Sequence, residues 1–224
     1  MLIKAYPPIG NIWFYLFVIG MLISMATYVW QFRNIPGARP QVYLQACKGA
    51  WLLFLVLASV SPDLPDKVLW IKLLQLSSVL SSYCWLLFIL ESSNRENAFH
   101  LWLKRGYLAV IICIYSGEVT GFWPDFLEQD AWLDGQTLIV PRRGWARWAA
   151  ETTGYSLCAI AVFYSMRWVF NTVGLRRRQA LWFTISGLFS LAGILLENVP
   201  GSEKIAPLPS GFFLTGLFIT WGFC

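Results

Sequence analysis

The amino-acid sequence predicts an all-α membrane protein, a bundle of seven transmembrane helices with the N-terminus outside the cell and the C-terminus inside. Of the 224 residues, 57% are hydrophobic and 13% are charged, whereas soluble domains have about 45–50% and about 25%. Several apolar runs reach the roughly 20 residues that a spanning helix requires. Basic residues lie between these runs and form no continuous basic face, which argues against a nucleic-acid partner.

Seven apolar runs divide the chain, and each is predicted to form one spanning helix. The first is too long for a signal-peptide core, and no small-residue cleavage site follows it, so it is expected to stay in the protein. Turns rich in proline, glycine or polar residues separate the runs. All seven are expected to form one domain over residues 1–224, with helices at about 11–31, 42–61, 68–90, 103–121, 148–170, 180–199 and 210–224.

Two connections carry patterns of their own. The segment from Arg33 to Pro40 holds two prolines and a glycine, which predicts a break in helicity. The connection at residues 122–147 is predicted to be an outer loop. Within it, Thr137 to Val140 follows Asp134-Gly135, which is compatible with a short strand pair.

The loop charges give the bundle a direction. With seven spans, alternate loops share a side, and the side with more Lys and Arg is expected to be cytoplasmic. One side holds Arg33, Arg39, Lys48, Arg95, Lys104, Arg105, Arg167, Arg176, Arg177 and Arg178. The other holds fewer basic residues and most of the acidic ones: Lys4, Lys67, Lys72, Arg142, Arg143, Arg147 and Lys204 are its bases. The chain is therefore expected to cross the cell (plasma) membrane several times with the N-terminus outside.

The centres of all seven runs are expected to be uncharged. Lys48 and Arg167 are expected near the inner face, where long side chains reach the interface. Charges inside a bilayer usually mark ion or proton paths, so their absence argues against a pump or channel. The seventh run has no lysine for a retinal Schiff base. His100 is expected to be a solvated loop residue.

No catalytic, metal or cofactor site is predicted. The five cysteines lie within apolar runs and form no CxxC or Cys/His pattern, so they are interpreted as small buried hydrophobic residues. No nucleophile–base pair or glycine-rich phosphate loop is present. The chain is therefore not expected to be an enzyme by itself.

Polar residues collect towards the outer ends of four runs and form a hypothetical ligand site. In one bundle they could line an outward-facing cavity for a small polar or zwitterionic ligand. The alternative is that each is an interfacial anchor or part of a structural ion pair. The residues are Lys72, Gln75, Glu118, Glu151, Tyr155 and Glu197.

A run of three arginines, Arg176, Arg177 and Arg178, begins the sixth run. Its simplest interpretation is fixing topology and binding lipid phosphates on the inner side. The sharper alternative is a cytoplasmic signalling contact with a downstream helix.

Four segments, taken in order, resemble segments of one known family. Ile35-Pro36-Gly37-Ala38 resembles the Pro-Gly-Ala turn of that family. Lys67-Val68-Leu69-Trp70-Ile71-Lys72-Leu73 resembles the basic-aromatic start of its third helix. Arg177-Arg178-Gln179 resembles its entry to helix six, although Arg177 replaces the usual aromatic. Pro207-Leu208-Pro209-Ser210-Gly211-Phe212-Phe213-Leu214-Thr215-Gly216 resembles the start of its last helix.

Together these segments resemble the N-terminal seven-helix sensory region of bacterial histidine kinases. This resemblance implies a sensory input domain of a two-component signal-transduction receptor in the bacterial inner (plasma) membrane. It implies a homodimer in membrane lipids, with a stimulus passed through helix seven to a cytoplasmic output module in cis or trans. It carries no catalytic residue, and no phosphoacceptor segment or ATP-binding module occurs up to Cys224. Two other classes stay open: an accessory subunit of a larger membrane complex, and a small transporter. Gly187 and Gly193 are weak indications of a transporter, and close helix packing explains them equally well.

Overall fold

A computed structural model describes residues 4–6, 12–93, 98–119, 132–134, 137–140 and 145–197 of the chain. These residues form six α-helices and a small three-stranded sheet. The helices are α1 (Ile12–Trp30), α2 (Ala38–Val60), α3 (Leu64–Ser92), α4 (Ala98–Val119), α5 (Trp145–Phe170) and α6 (Gly174–Glu197), and the strands are β1 (Lys4–Tyr6), β2 (Trp132–Asp134) and β3 (Thr137–Val140). The helix expected at 210–224 lies outside the described residues.

Four of the six described helices have the length and composition of membrane spans. They are α1, α2, α3 and residues Ala98–Gly117 of α4, each long and apolar enough to cross a bilayer. The other two, α5 and α6, have 26 and 24 residues, or about 36–39 Å at 1.5 Å per residue, which exceeds the ~30 Å hydrocarbon core. The prediction of an all-α membrane architecture is confirmed to this extent.

Helices α2 to α6 begin several residues before the predicted apolar runs do. Proline is tolerated in a first turn because the amide groups there have no partner within the helix. Pro40 therefore lies in the first turn of α2, and Pro65 lies in the first turn of α3. The predicted break after α1 is real but shorter than expected. It ends at Gly37, whose φ of 86° is left-handed.

The third helix lies at the centre of the bundle. It packs on α2, α4 and α5, while α1 covers the other side of α2 and α6 packs on α5. In the most apolar 18-residue segment of α3, 61% of the residues are buried, whereas in the corresponding segment of α1 only 17% are buried. Phe88 and Leu86 of α3 are fully buried within the main core. A change in the packing of α3 therefore affects several neighbouring helices at once.

Contacts at the tip of the α2–α3 hairpin fix its geometry. The Lys67 ammonium is buried and donates a hydrogen bond of 3.2 Å to the carbonyl of Ala58, a favourable place for a cation because it is the negative end of α2. The Trp70 indole donates to the Ser61 hydroxyl at 3.0 Å and stacks on Phe54 with ring centroids 6.0 Å apart.

The small sheet joins two distant parts of the chain. Its strand order is β1-β3-β2 and both pairs are antiparallel, with Lys4 opposite Val140 and Leu133 opposite Leu138. The expected strand pair in the 122–147 connection is confirmed. The pairing of β1 is an addition, since a three-residue strand leaves no periodic signal. Because β1 precedes α1 and β2 follows α4, the four helices between them return the chain to the side on which it began.

Candidate functional site: a buried polar face on α2

Three polar residues share one buried face of α2, and we call Gln41, Gln45 and Lys48 the polar face. Their spacing of four and then three residues places them on one side of an α-helix. Gln41 and Gln45 are each 1% exposed, and Lys48 is 6% exposed. Side chains of this type are rarely buried so completely in the apolar part of a protein. The polar face is therefore the strongest departure from simple apolar packing in α2.

Lys48 lies at the middle of α2, which corrects the expectation that all helix centres are uncharged. The sequence suggested a position near the inner face because the apolar run begins at Val42. The helix itself begins at Ala38, so Lys48 is about 15 Å along the axis at 1.5 Å per residue. An ionisable residue at such a depth in a spanning helix points to a functional site.

Two other helices reach the level of Lys48. The ammonium group is close enough to Cys158 on α5 for an electrostatic interaction. The Cys158 thiol in turn donates a hydrogen bond of 3.3 Å to the Ser82 hydroxyl on α3. A polar layer consequently links α2, α3 and α5 in the interior of the bundle.

The amide of Gln45 is unusual within the described part of the chain. Neither its oxygen nor its nitrogen has a hydrogen-bond partner there, and the same holds for the side-chain oxygen of Gln41. A buried polar group without a partner costs about 1–3 kcal/mol. The three unpartnered atoms of Gln41 and Gln45 therefore weaken the packing of α2 in this arrangement of the bundle.

A second polar contact joins α5 and α6. The hydroxyls of Ser165 and Thr184 are both buried and share a hydrogen bond of 3.0 Å. Each hydroxyl also lies 2.8 Å from a carbonyl oxygen of its own helix, Val162 for Ser165 and Ala180 for Thr184, so the two hydroxyl protons are shared among three contacts. Such hydroxyl pairs hold transmembrane helices together.

The candidate ligand residues whose side chains are described lie on α3 and α5, two helices that pack on each other. Gly154 of α5 faces Val79 of α3, and Cys158 bonds Ser82, so the two helices run in the same direction. The same register, continued one turn, places Gln75 and Glu151 at one level. Lys72, Gln75, Glu151 and Tyr155 are all half-buried, whereas the side chains of Glu118 and Glu197 lie outside the described residues.

A cavity of about 540 Å³ lies at the other end of the bundle, where α1 turns into α2 beside the end of α3. Arg33, Arg39, Tyr43 and Glu91 contribute its polar lining. The amide of Gly37 donates a hydrogen bond of 3.4 Å to the Glu91 carboxylate, which ties the turn to α3. This cavity was not apparent from the sequence because its lining comes from two segments more than forty residues apart.

His100 is buried, which corrects its assignment as a solvated loop residue. It is 5% exposed, lies in the first turn of α4, and its ring meets Tyr164 of α5 edge-on with centroids 5.1 Å apart. Helix α4 begins at Ala98, five residues before the apolar run. His100 therefore contributes to α4–α5 packing.

The arginine run lies in the first two turns of α6. All three side chains, Arg176, Arg177 and Arg178, are exposed, and no acidic residue occupies the first turn. Positive charge at a helix N-terminus opposes the helix dipole. Their position therefore favours contact with an anionic partner over a role in stabilising the helix. Among the described residues, no group of three His, Cys, Asp or Glu is placed to hold a metal ion.

A family model described as the N-terminal 7TM region of histidine kinase matches residues 14–224. The chain belongs to this family. It is therefore a membrane protein of the seven-transmembrane histidine-kinase type, as the ordered motifs suggested. A comparison with curated proteins finds no match. The match begins within α1, so β1 precedes the part that this N-terminal 7TM region shares with its family.

The motifs of this 7TM region have structural roles that the sequence did not reveal. The Pro36-Gly37 turn connects α1 to α2 and is bonded to Glu91. Lys67 and Trp70 fix the α2–α3 hairpin. Gln179 lies within α6 beside the three arginines. The fourth motif, residues 207–216, lies outside the described residues.

Proposed function

We propose that this 7TM region is the signal-sensing input domain of a histidine-kinase-type receptor, with no catalytic chemistry of its own. An extracellular or membrane-borne stimulus alters the packing of the bundle, and helix seven passes the change to a cytoplasmic output module. Family membership supports the general role. The observation that carries the proposal is the polar face of α2, with Lys48 at the middle of a spanning helix and Gln45 unpartnered beside it.

The polar face is suited to a two-state mechanism. In one packing of α2 on α3, the Gln45 amide and the Gln41 side-chain oxygen lack partners, and a small rotation of α2 exchanges that state for one with different hydrogen bonds. The central position of α3 spreads such a change to α4 and α5. A stimulus shifts the balance only by its different affinity for the two packings.

The stimulus enters through the outer halves of α3 and α5. Lys72 and Gln75 lie on one helix and Glu151 and Tyr155 on its packed neighbour. The combination of an ammonium, a carboxylate and two neutral polar groups fits a small polar or zwitterionic ligand. Glu118 and Glu197 complete the proposed set from the ends of α4 and α6.

The proposed topology has seven spans with the N-terminus outside. Pairing of β1 with β3 is consistent with four crossings between them. The exposed arginines of α6 then face the cytoplasm, where anionic lipids or the output module supply negative charge. In this arrangement the receptor works as a homodimer in the inner membrane.

The proposed function can be tested directly with variants of the receptor that carries this chain. Lys48→Met and Gln45→Leu each remove polarity from the α2 face with little change in volume, so the receptor should hold one packing. In lipid nanodiscs, kinase autophosphorylation is expected to become constant and to lose its response to stimulus. Lys104→Met, at the start of α4, is the matched control and should respond normally.

Two results would contradict this function. One is a full response in both α2 variants, which would remove the polar face from the switching mechanism. The other is purification of the chain only at a fixed ratio with unrelated membrane subunits and no kinase, which would favour the accessory role.

A further inference from the structure

Two cysteines meet across the α2–α3 interface. Cys47 of α2 and Cys84 of α3 have free thiols that form a side-chain hydrogen bond with each other. Both belong to the same core cluster, Cys84 within it and Cys47 packed against it. Their helices form an antiparallel hairpin fixed at its tip by Lys67 and Trp70. The two sulfur atoms are therefore held next to each other in the folded chain.

The surroundings select the kind of reagent that reaches these thiols. Cys84 is 8% exposed, whereas Cys47 is only partly buried. Both lie well inside helices of spanning length, which places them at the depth of the hydrocarbon region. Water-soluble oxidants enter that region poorly. A lipid-soluble oxidant enters that region readily, and Cys47 is the more exposed of the two thiols.

We propose that Cys47 and Cys84 are a redox-active pair that a lipophilic quinone converts to a disulfide between α2 and α3. The two S–H bonds break and one S–S bond forms. Two electrons and two protons pass to the quinone, which leaves as the quinol. A thiol reductant reverses the step by disulfide exchange.

Other cysteines in the described residues differ in ways that make them unsuited to this reaction. Cys158 is buried and bonded to the Ser82 hydroxyl. Cys113 is exposed on α4, a helix with few contacts to α2. Cys113 therefore serves as a matched control, because it is accessible from lipid and lies away from the pair.

A disulfide between Cys47 and Cys84 would restrict the movement of α2 relative to α3. Cys47 directly precedes Lys48, so a disulfide fixes the level of α2 that carries the polar face against α3. The thiol chemistry itself does not depend on the sensory role, and its test uses no signalling readout. Failure of either proposal is thus distinguishable from failure of the other.

The test uses the full chain in lipid nanodiscs, in a background with Cys113→Ser, Cys158→Ser and Cys224→Ser. After treatment with a short-chain ubiquinone and denaturation, remaining thiols are labelled with a polyethylene-glycol maleimide. The untreated chain should carry two labels and the oxidised chain none, with both restored by dithiothreitol. One quinol should form per chain.

Two controls guard the interpretation. Adding Cys84→Ser to the background should leave one label before and after oxidation. A second background that keeps only Cys84 and Cys113 should retain both labels. Should the triple-serine background fail to fold, disulfide mapping by mass spectrometry of the quinone-treated natural chain answers the same question.

Three outcomes would overturn the proposal. The first is retention of both labels after quinone treatment. The second is loss of labels with a band at twice the monomer mass, since the disulfide would then join two chains. The third is oxidation by a water-soluble reagent as fast as by the quinone, which would show that the pair is not reached selectively from lipid.

Discussion

The six-membered ring of Trp85 on α3 occupies the space that a β-carbon at Gly187 on α6 would require. Val162 of α5 closes the same space from a third side, with its methyl group 2.9 Å from that position. Three helices therefore meet at a residue without a side chain. Close packing accounts for Gly187, and the transporter interpretation gains no support from it.

Gly187→Ala is expected to destabilise the bundle by about 1–3 kcal/mol, the usual effect of overpacking. Thermal unfolding in detergent, followed by tryptophan fluorescence, measures the loss. Gly106→Ala on α4 is the control, because no atom lies within 4 Å of its added methyl group. It should be neutral or stabilising by up to about 1 kcal/mol, since alanine favours helix. Equal stability of the two variants would contradict the close Trp85 contact.

Gly37→Ala is expected to be more harmful than Gly174→Ala. Both glycines have left-handed backbones, with φ of 86° and 64°, which costs alanine about 1–2 kcal/mol. Only at Gly37 does the methyl group also meet neighbours, the Ser92 hydroxyl and the Phe88 ring 3.4 Å away. The difference in unfolding free energy between the variants isolates this contact. A larger loss at Gly174 would show that the α1–α2 turn is not held against α3.

The spanning helices can be predicted from composition and periodicity alone, because each spanning helix requires a long apolar run. The buried site does not follow so easily. Lys48 looked interfacial because helix starts were equated with the first apolar residue, whereas prolines and arginines also occupy first turns. His100 looked solvated for the same reason.

Contacts between residues that are distant in the chain also could not be predicted from a single sequence. The hydrogen bond between Cys47 and Cys84 depends on the register of α2 against α3, which no local pattern encodes. The pairing of Lys4 with Val140 depends on four intervening helices. Such features require the helices to be packed before they can be recognised.

Trp70→Phe is expected to weaken the α2–α3 hairpin by about 0.5–1.5 kcal/mol, the net value of one hydrogen bond. Phenylalanine keeps an aromatic ring against Phe54 but cannot donate to the Ser61 hydroxyl. Trp13→Phe is the matched control because Trp13 is 81% exposed, so its effect should stay within about 0.5 kcal/mol. Both are compared by thermal unfolding. Identical effects would imply that the indole bond contributes nothing.

Ser165→Ala and Thr184→Val are expected to be coupled in a double-mutant cycle. Their shared hydroxyl bond should give an interaction energy of about 0.6 kcal/mol, and no more than about 1.7 kcal/mol, as for other membrane helices. The control cycle pairs Thr184→Val with Ser24→Ala, whose hydroxyl bonds only the carbonyl of Gly20 in α1. That cycle should be additive within about 0.5 kcal/mol. Additivity in both cycles would refute the α5–α6 bond.

Gln45→Leu is expected to stabilise the isolated chain, in contrast to most core substitutions. The amide has no partner among the described residues, so replacing it with a hydrocarbon of similar size should recover about 1–3 kcal/mol. Gln31→Leu, in the exposed turn after α1, should change stability by less than about 0.5 kcal/mol. The measurement is the midpoint of thermal unfolding in lipid nanodiscs. A lower midpoint for Gln45→Leu would mean that the amide is hydrogen-bonded in the membrane, and the two-state interpretation of the polar face would lose its energetic basis.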